Sequence, residues 1–301
     1  MNKSTAIGKL FLLSTLLILT LQCRERAGTR STSASNAQNE PVVTVDPIED
    51  PFLREVYYET PADANDPNRF NADNTLYPIG KSYYYEVQYR DKEGRERWIE
   101  VLDWNALDDW RWVEGSKPVA MSPTGVRMVV QSSPNSFNQA FPDAKVSVAA
   151  YEYLTDQGPI QQVELVALVE NARNIYLTPP RSFHFKVLEF SPYPYVKFPL
   201  DSIRKWADRR LIAHSFSDTA LIAWPKGLLV GRFTYYNRGK VLLNTQHMGK
   251  LRCHWIRGIG AYGTGHTCSA DFYFHPKYGF VRMRFLNVDS SSTAFELYRV
   301  D

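Results

Sequence analysis

Residues 82–103 read SYYYEVQYRDKEGRERWIEVLD, and this stretch decides the fold class. Two runs rich in aromatic and β-branched residues, Ser82–Arg90 and Arg95–Asp103, flank a short glycine-containing turn at residues 91–94. Strand formers on both sides of such a turn predict a β-hairpin, because these side chains pack well on the pleated surface of a sheet. The sequence therefore predicts antiparallel β structure in this region.

The same pattern continues along the chain. The further strand candidates are Val126–Gln131, Lys145–Tyr153, Gln162–Val169, Phe183–Phe190, Leu228–Tyr236, Lys240–Thr245, Leu251–Arg257, Cys268–His275, Gly279–Val288 and Thr293–Arg299. The 41 aromatic residues agree with this assignment, since rings are favoured in strands. Asp201–His214 is ambiguous, because some of its apolar residues recur at helical spacing. Helical segments do not alternate with the strands, which disfavours a doubly wound α/β fold.

The first 22 residues have the pattern of an export signal. Lys3 and Lys9 precede an apolar run from Leu10 to Leu21, which is too short to span a bilayer. The run ends directly before Cys23, and this resembles a bacterial lipoprotein signal, in which the cysteine is lipidated and becomes the new N-terminus. The resemblance implies acyl chains, palmitate among them, on Cys23. Ordinary secretion and cleavage is the alternative.

Residues 23–50 are rich in Ser, Thr, Asn and Ala and offer hardly an apolar anchor. Such a segment cannot bury enough surface to offset its ordering entropy, so we predict a disordered tether. The expected location is the bacterial cell envelope, lipid-anchored, at the periplasmic or surface face of the outer membrane. Removal of residues 1–22 lowers the formal net charge from +3 to +1, which argues against nucleic acid as a partner.

The second half of the chain resembles a known group of proteins. Residues 249–253 (GKLRC), 272–283 (FYFHPKYGFVRM) and 295–297 (FEL) carry the resemblance. The pattern is similar to the C-terminal part of uncharacterised bacterial exported lipoproteins with domains of unknown function, in which a "yGfVk" turn joins two late strands. The resemblance covers residues 179–299 well and implies a curved antiparallel sheet or half-barrel. It carries no catalytic residues.

A proline-rich segment at residues 178–181 suggests a boundary near the middle of the chain. We therefore expect a mainly β protein with two β-rich modules, residues 51–180 and residues 181–301. The second module would hold the curved antiparallel sheet that the resemblance implies.

Two cysteines of the second module could lie opposite each other. If their strands pair as a hairpin centred near Gly260, Cys253 and Cys268 share a face, and an exported protein folds where thiols oxidise. We predict a Cys253–Cys268 disulfide. Two buried free thiols, or a metal site that includes His266, are the alternatives.

Residues 258–263 match the G-x-G-x-x-G pattern, but strand-like residues follow them, so a hairpin connection is favoured over a dinucleotide site.

Acidic and aromatic residues are concentrated in residues 102–115 (LDWNALDDWRWVEG). The acids are Asp103, Asp108, Asp109 and Glu114, and the rings are Trp104, Trp110 and Trp112. Glycoside hydrolases use a pair of carboxylates, and here carboxylates and aromatic side chains occur together in the sequence. The alternation of Trp110 and Trp112 instead favours rings that face the core. We take Trp104, Asp108, Asp109, Trp110 and Trp112 as a candidate ligand surface.

The sequence is compatible with two functions. The first is a non-enzymatic envelope lipoprotein that binds an apolar ligand or a protein partner, or that acts as a scaffold. The second is a carbohydrate-binding or carbohydrate-hydrolysing envelope protein that uses residues 103–114. The chain contains no G-x-S-x-G, H-E-x-x-H, P-loop or C-x-x-C pattern, so we expect no catalytic residues, no cofactor and no metal.

Overall fold

The computed structural model describes residues 74–106, 108–115, 117–133, 146–212, 217, 221–222, 229–262 and 266–301. The predicted signal peptide, Cys23 and the tether fall outside this part of the chain. No helix within the described ranges is long and apolar enough to cross a membrane.

The described residues form antiparallel strands and one 3-10 helix, Phe183–Phe190. The strands are β1 (Ser82–Arg90), β2 (Glu96–Val101), β3 (Trp110–Val113), β4 (Gly125–Gln131), β5 (Ser147–Thr155), β6 (Gly158–Glu170), β7 (Asn174–Leu177), β8 (Tyr195–Lys197), β9 (Lys205–Ile212), β10 (Leu229–Asn244), β11 (Lys250–Ala261), β12 (Thr267–His275), β13 (Gly279–Leu286) and β14 (Ser292–Val300). The predicted antiparallel β class is confirmed.

Twelve strands follow one another across a single sheet, in the order β8-β7-β6-β5-β4-β1-β14-β13-β12-β11-β10-β9. The β2–β3 hairpin branches from β1. The two ends of the sheet approach each other, because the Tyr195 ring of β8 lies 6.0 Å from Trp206 of β9 and 5.4 Å from Tyr235 of β10. The result is a nearly closed, barrel-like sheet.

Strands from both predicted modules belong to this sheet. Pairing of β1 with β14 joins residues near the start of the described chain to its last strand, with Tyr83 opposite Val300 and Arg90 opposite Ser292. The curvature expected for the second module therefore extends over both halves. The division at residue 180 stays a prediction.

The core lies on the concave side of the sheet. In β1, Tyr83, Tyr85, Val87 and Tyr89 are fully buried, while the residues between them are half-buried. Side chains of a strand point alternately to the two faces of a sheet, so each strand supplies a row of large side chains to the interior. The aromatic residues of this sequence provide much of that interior.

Two segments differ from expectation. Phe183–Phe190 was predicted as a strand, which is wrong: it is the 3-10 helix, and all eight of its side chains are buried. A segment enclosed on every side shows neither strand nor helix periodicity in its sequence. The ambiguous stretch Asp201–His214 contains strand β9, whose inward residues include the polar Asp208 and Arg210. Because these charged residues are at inward positions, the sequence of β9 does not show the alternation of apolar and polar residues that is typical of a strand.

Candidate functional site

The concave side of the sheet is occupied by the chain itself. Residues 181–193, which we call the plug, run through the interior and include the 3-10 helix. The Phe185 ring stacks on Tyr153 of β5 at 5.6 Å and also lies 5.6 Å from Phe295 of β14. These strands stand apart in the sheet order, so one plug residue bridges the interior. Within the described residues, the protein's own side chains fill the space that an apolar ligand would need.

A carboxylate whose side chain is only 13% exposed holds the first end of the plug. Glu164 of β6 accepts hydrogen bonds from the backbone N–H of Arg181 at 2.8 Å, from Ser182 Oγ at 3.0 Å and from Tyr153 Oη at 2.8 Å. The Arg181 guanidinium also lies 3.6 Å from the carboxylate of Glu189, within the plug. Bonds to an ionised carboxylate are stronger than neutral ones, so this contact fixes where the plug enters.

A buried arginine holds the other end. The guanidinium of Arg210 lies 3.3 Å from the Tyr193 ring centroid and 4.0 Å from that of Phe233, and it donates to the Ser191 carbonyl at 2.5 Å. Its Nε lies 3.3 Å from Asp208, which balances the charge. A desolvated cation between two ring faces is strongly attracted to them.

Hydroxyl and thiol groups of the sheet hold the plug backbone as well. Tyr262 Oη and Cys268 Sγ both donate to the Phe190 carbonyl, the latter at 3.0 Å, and Tyr235 Oη donates to the Tyr193 carbonyl at 3.0 Å. The plug carbonyls lost their water on burial, and these donors replace it. The plug is therefore an integrated part of the core.

Two glycines of β11 make room for this packing. A Cβ atom on Gly258 would lie 2.6 Å from Cβ of Pro192 in the plug, and one on Gly260 would lie 2.5 Å from Cys268 Sγ. Side chains cannot approach so closely. The predicted hairpin is present, since β11 and β12 pair antiparallel, but its connection begins after Ala261, because both glycines lie inside β11 and serve close packing.

The predicted aromatic segment packs against the plug. Trp110 and Trp112 of β3 lie 4.9 Å and 4.7 Å from the His184 ring, and Trp104 lies 4.9 Å from Phe183, all edge to face. Such pairs stabilise beyond the area they bury. The three rings are half-buried and contribute to the core, as their alternation had suggested. Their use as a ligand surface stays a prediction.

The acids of this segment have separate surroundings. Asp103, Asp108, Asp109 and Glu114 are all exposed. Asp108 forms an ion pair with Lys186 of the plug, while Asp103 accepts a hydrogen bond from the backbone of Asn105 at 2.8 Å. None of them lines the two clefts described below. The geometry gives no support to acid–base chemistry here.

The plug contains a histidine that should make folding pH-dependent. Burial lowers the pKa of His184 to about 4, against a smaller opposing effect of Asp289. The unfolded chain, with a histidine pKa of about 6.5, binds the proton more tightly, so stability is complete above that pH and falls as the pH drops toward 4. The contribution lost should be about 3 kcal/mol. Denaturant unfolding at pH 7.5 and 4.5 measures it.

A His184→Phe variant should lose less stability between these two pH values than the parent does. His247→Phe, at an exposed position, is the matched control and should keep the parental loss. An unchanged pH dependence in His184→Phe would show that the buried histidine is not responsible.

The predicted Cys253–Cys268 disulfide is wrong, since both residues are buried free thiols. Cys268 lies opposite Gly260, whereas Cys253 lies opposite Val241 of β10. Cys253 and Gly260 are an odd number of residues apart in β11, so the two thiols lie on opposite faces of the sheet. The observed hairpin pairs His254 with Phe274, a register several residues away from the one assumed. Burial raises the pKa of each thiol to about 11.

This register also separates the metal ligands considered with the cysteines. Cys253 and Cys268 cannot reach one ion from opposite faces. In the part of the chain that the structure covers, no three His, Cys, Asp or Glu side chains are grouped as metal ligands.

Two shallow clefts that no sequence pattern predicted lie beside the turn between β12 and β13. Both include Pro276, and their volumes are about 440 Å³ and 540 Å³. The larger is lined by Asp201, Lys240, Arg252, His254, His275, Pro276 and Lys277. Lys240 pairs with Asp201 at 2.8 Å and lowers its pKa. The excess of cations suits an anionic group. The lining residues come from four separate segments of the sequence, and no motif marks them.

Comparison with known proteins gave solved structures only. No protein-family model matches the chain, and no curated protein matches it significantly. A Bacteroides fragilis protein described as exported and having a YMCC-like fold covers 82% of this chain and 99% of its own, at 10% identity and a TM-score of 0.35. A Parabacteroides distasonis protein described as a lipoprotein covers 75% and 96%, at 10% identity and a TM-score of 0.34.

A third solved structure belongs to a Brucella abortus protein described as beta-barrel-like and of a domain of unknown function. It covers 74% of this chain and 97% of its own, at 10% identity and a TM-score of 0.32. At these scores neither function nor site residues transfer to the present chain.

Proposed function

We propose that this protein is a non-enzymatic scaffold or binding module of the bacterial cell envelope, held to a membrane through acyl chains on Cys23. The observation that carries the proposal is the plug, which fills the concave side of the sheet with residues 181–193. A carrier of apolar ligands needs an apolar cavity that is largely pre-formed. Here the interior is occupied and held by Glu164 and Arg210. Binding is therefore assigned to the outer surface of the sheet.

The experiment is native mass spectrometry of the full chain purified from membranes in detergent. The expected mass is that of the polypeptide from Cys23 onward plus covalent acyl chains, with no additional apolar molecule. Copurified proteins, identified in the same preparation, would be the partners. A lipid that stays bound noncovalently at one copy per chain would contradict the scaffold proposal and restore the carrier.

The control is a Cys23→Ala variant, with Ser31→Ala in the tether as its matched partner. Cys23→Ala should carry no acyl mass and should leave the membrane fraction after a high-salt wash, whereas Ser31→Ala should behave like the parent. If Cys23→Ala stayed in the salt-washed membranes to the parental extent, the lipid anchor would be rejected.

A further inference from the structure

The charge of the molecule is concentrated in one part of the sheet. Strands β9 to β13, which are consecutive neighbours, contain 11 Lys and Arg residues and two Asp residues. The whole chain has 35 basic and 32 acidic residues, so 24 basic and 30 acidic residues remain elsewhere. The net charge of +3 is therefore the sum of a strongly basic region, β9 to β13, and an acidic remainder of the chain. Such asymmetry creates a local field that attracts anions.

Most of this charge lies on the convex side. We call the outward positions of β9 to β13 the basic face. Its cations are Lys205, Arg209, Arg232, Arg238, Arg257 and Arg284, together with Arg282, which forms an ion pair with Glu296 of β14. They alternate with buried inward residues in each strand. Asp271 is the single acid at an outward position of these five strands, and it lies opposite both Arg257 and Arg284.

Aromatic side chains stand among these cations. Trp255 of β11 and Tyr273 of β12 are stacked, with planes 10° apart and centroids separated by 6.4 Å. The Trp255 indole N–H donates to Asp271 at 2.7 Å, and the Arg238 guanidinium lies 5.8 Å from the Trp255 ring. Both rings are half-buried. Asp271 thus holds the Trp255 ring in place, and Tyr273 stacks on that ring.

Large apolar side chains are exposed on the same face. Leu211, Ile259 and Leu286 are 39%, 41% and 51% exposed. Ile259 and Leu286 flank Ser269 in one row across β11, β12 and β13, because each is its direct neighbour in the register. The basic face thus combines cations, rings of Trp and Tyr, and aliphatic side chains. This is the combination found where proteins lie in the interface of a bilayer.

We propose that the basic face docks on the surface of an anionic lipid bilayer. The cations would meet lipid phosphates, the rings would lie among the headgroups, and the aliphatic side chains would enter the acyl boundary. The inference rests on the proposed function, since an anchor at Cys23 would keep this face close to a membrane. The anchor alone would leave the orientation of the body free, and the basic face would fix it with the convex side of β9 to β13 toward the lipid.

The aliphatic side chains favour a bilayer over a soluble polyanion. Binding to a polyanion depends on phosphate or sulfate contacts with cations and gains little from exposed Leu or Ile. Binding to a bilayer gains from cations and from aliphatic side chains, because the burial of each CH₂ group adds to the electrostatic attraction. Charge and apolar exposure occur here on the same strands.

The test uses the mature chain from residue 23 with Cys23→Ser, which carries no acyl group and keeps every described residue. Sedimentation with vesicles of phosphatidylethanolamine and phosphatidylglycerol should show binding that weakens at high salt, and vesicles of phosphatidylcholine alone should bind little. Arg232→Glu/Arg284→Glu should weaken binding to the anionic vesicles at least about 10-fold, because it reverses two exposed charges on the face.

The control is Lys117→Glu/Arg173→Glu, which changes the net charge equally at exposed positions outside β9 to β13. It should bind nearly as the parent does. Equal losses in both double variants would show a net-charge effect and overturn the proposal, and so would binding of dextran sulfate without binding of anionic vesicles. Because no acyl chain is present, these outcomes are independent of the Cys23 anchor. Circular dichroism checks that each variant is folded.

Discussion

Replacing Phe185 by alanine is expected to destabilise the protein by about 3–5 kcal/mol, the usual cost of truncating a buried phenylalanine. Its ring is fully buried at the centre of the plug and contacts Tyr89, Tyr153 and Phe295, from three different strands. Truncation removes these contacts and leaves a cavity. The rigid sheet around the cavity can collapse into it only in part.

The free energy of unfolding, measured by denaturant titration, is the readout for Phe185→Ala. Leu242→Ala is the control, because Leu242 is 67% exposed and its truncation should change stability by no more than about 0.5 kcal/mol. Phe185→Leu should fall between them. Similar stabilities of Phe185→Ala and Leu242→Ala would mean that the plug is not part of the folded core.

Replacing Glu164 by alanine should also destabilise the protein strongly, by about 3 kcal/mol. The substitution removes the acceptor for the backbone of Arg181 and the hydroxyls of Ser182 and Tyr153, and it takes away one of the carboxylates near the Arg181 guanidinium. Buried donors left without partners carry their full desolvation cost. The loss should be concentrated where the plug enters the sheet.

Hydrogen exchange measures that local effect. In Glu164→Ala the amides of residues 181–193 should exchange faster than those of the sheet around them, because the plug would open before the sheet does. Glu152→Ala is the matched control, since Glu152 lies on the neighbouring strand β5 and pairs with Arg127 in a partly exposed ion pair. Parental protection of the plug in Glu164→Ala would contradict the role of Glu164 as its anchor.

Much of the sheet could be predicted from the sequence, because each strand has one face toward the core and one toward the outside, which gives its residues an alternating pattern. Ser82–Arg90 was predicted to the residue, and Cys268–His275 came within one residue of β12. The plug could not be predicted in this way. Its residues meet only the interior, so Phe183–Phe190 has the apolar content of a buried strand without being one. The three-residue strand β8 is too short to show a period.

The candidate sites were harder to predict because they depend on register and curvature. A hairpin register that differs by an odd number of residues moves a side chain to the other face of the sheet, and this separated Cys253 from Cys268. The cleft of Asp201, Lys240 and His254 joins residues of a turn and two strands. The basic face could not be predicted from the net charge, because acidic residues elsewhere in the chain offset its cations.

Because β1 pairs with β14, the sheet cannot close until β14 is available for pairing. Its earliest described strand, β1, pairs with β2 and β4, which are close in the chain, while its other neighbour, β14, begins about 200 residues later. Contacts between such distant segments raise the contact order and slow folding. An exported chain would expose β1 with one edge unpaired until β14 had followed. Closure of the sheet would therefore be a late event, after β14 had left the export machinery.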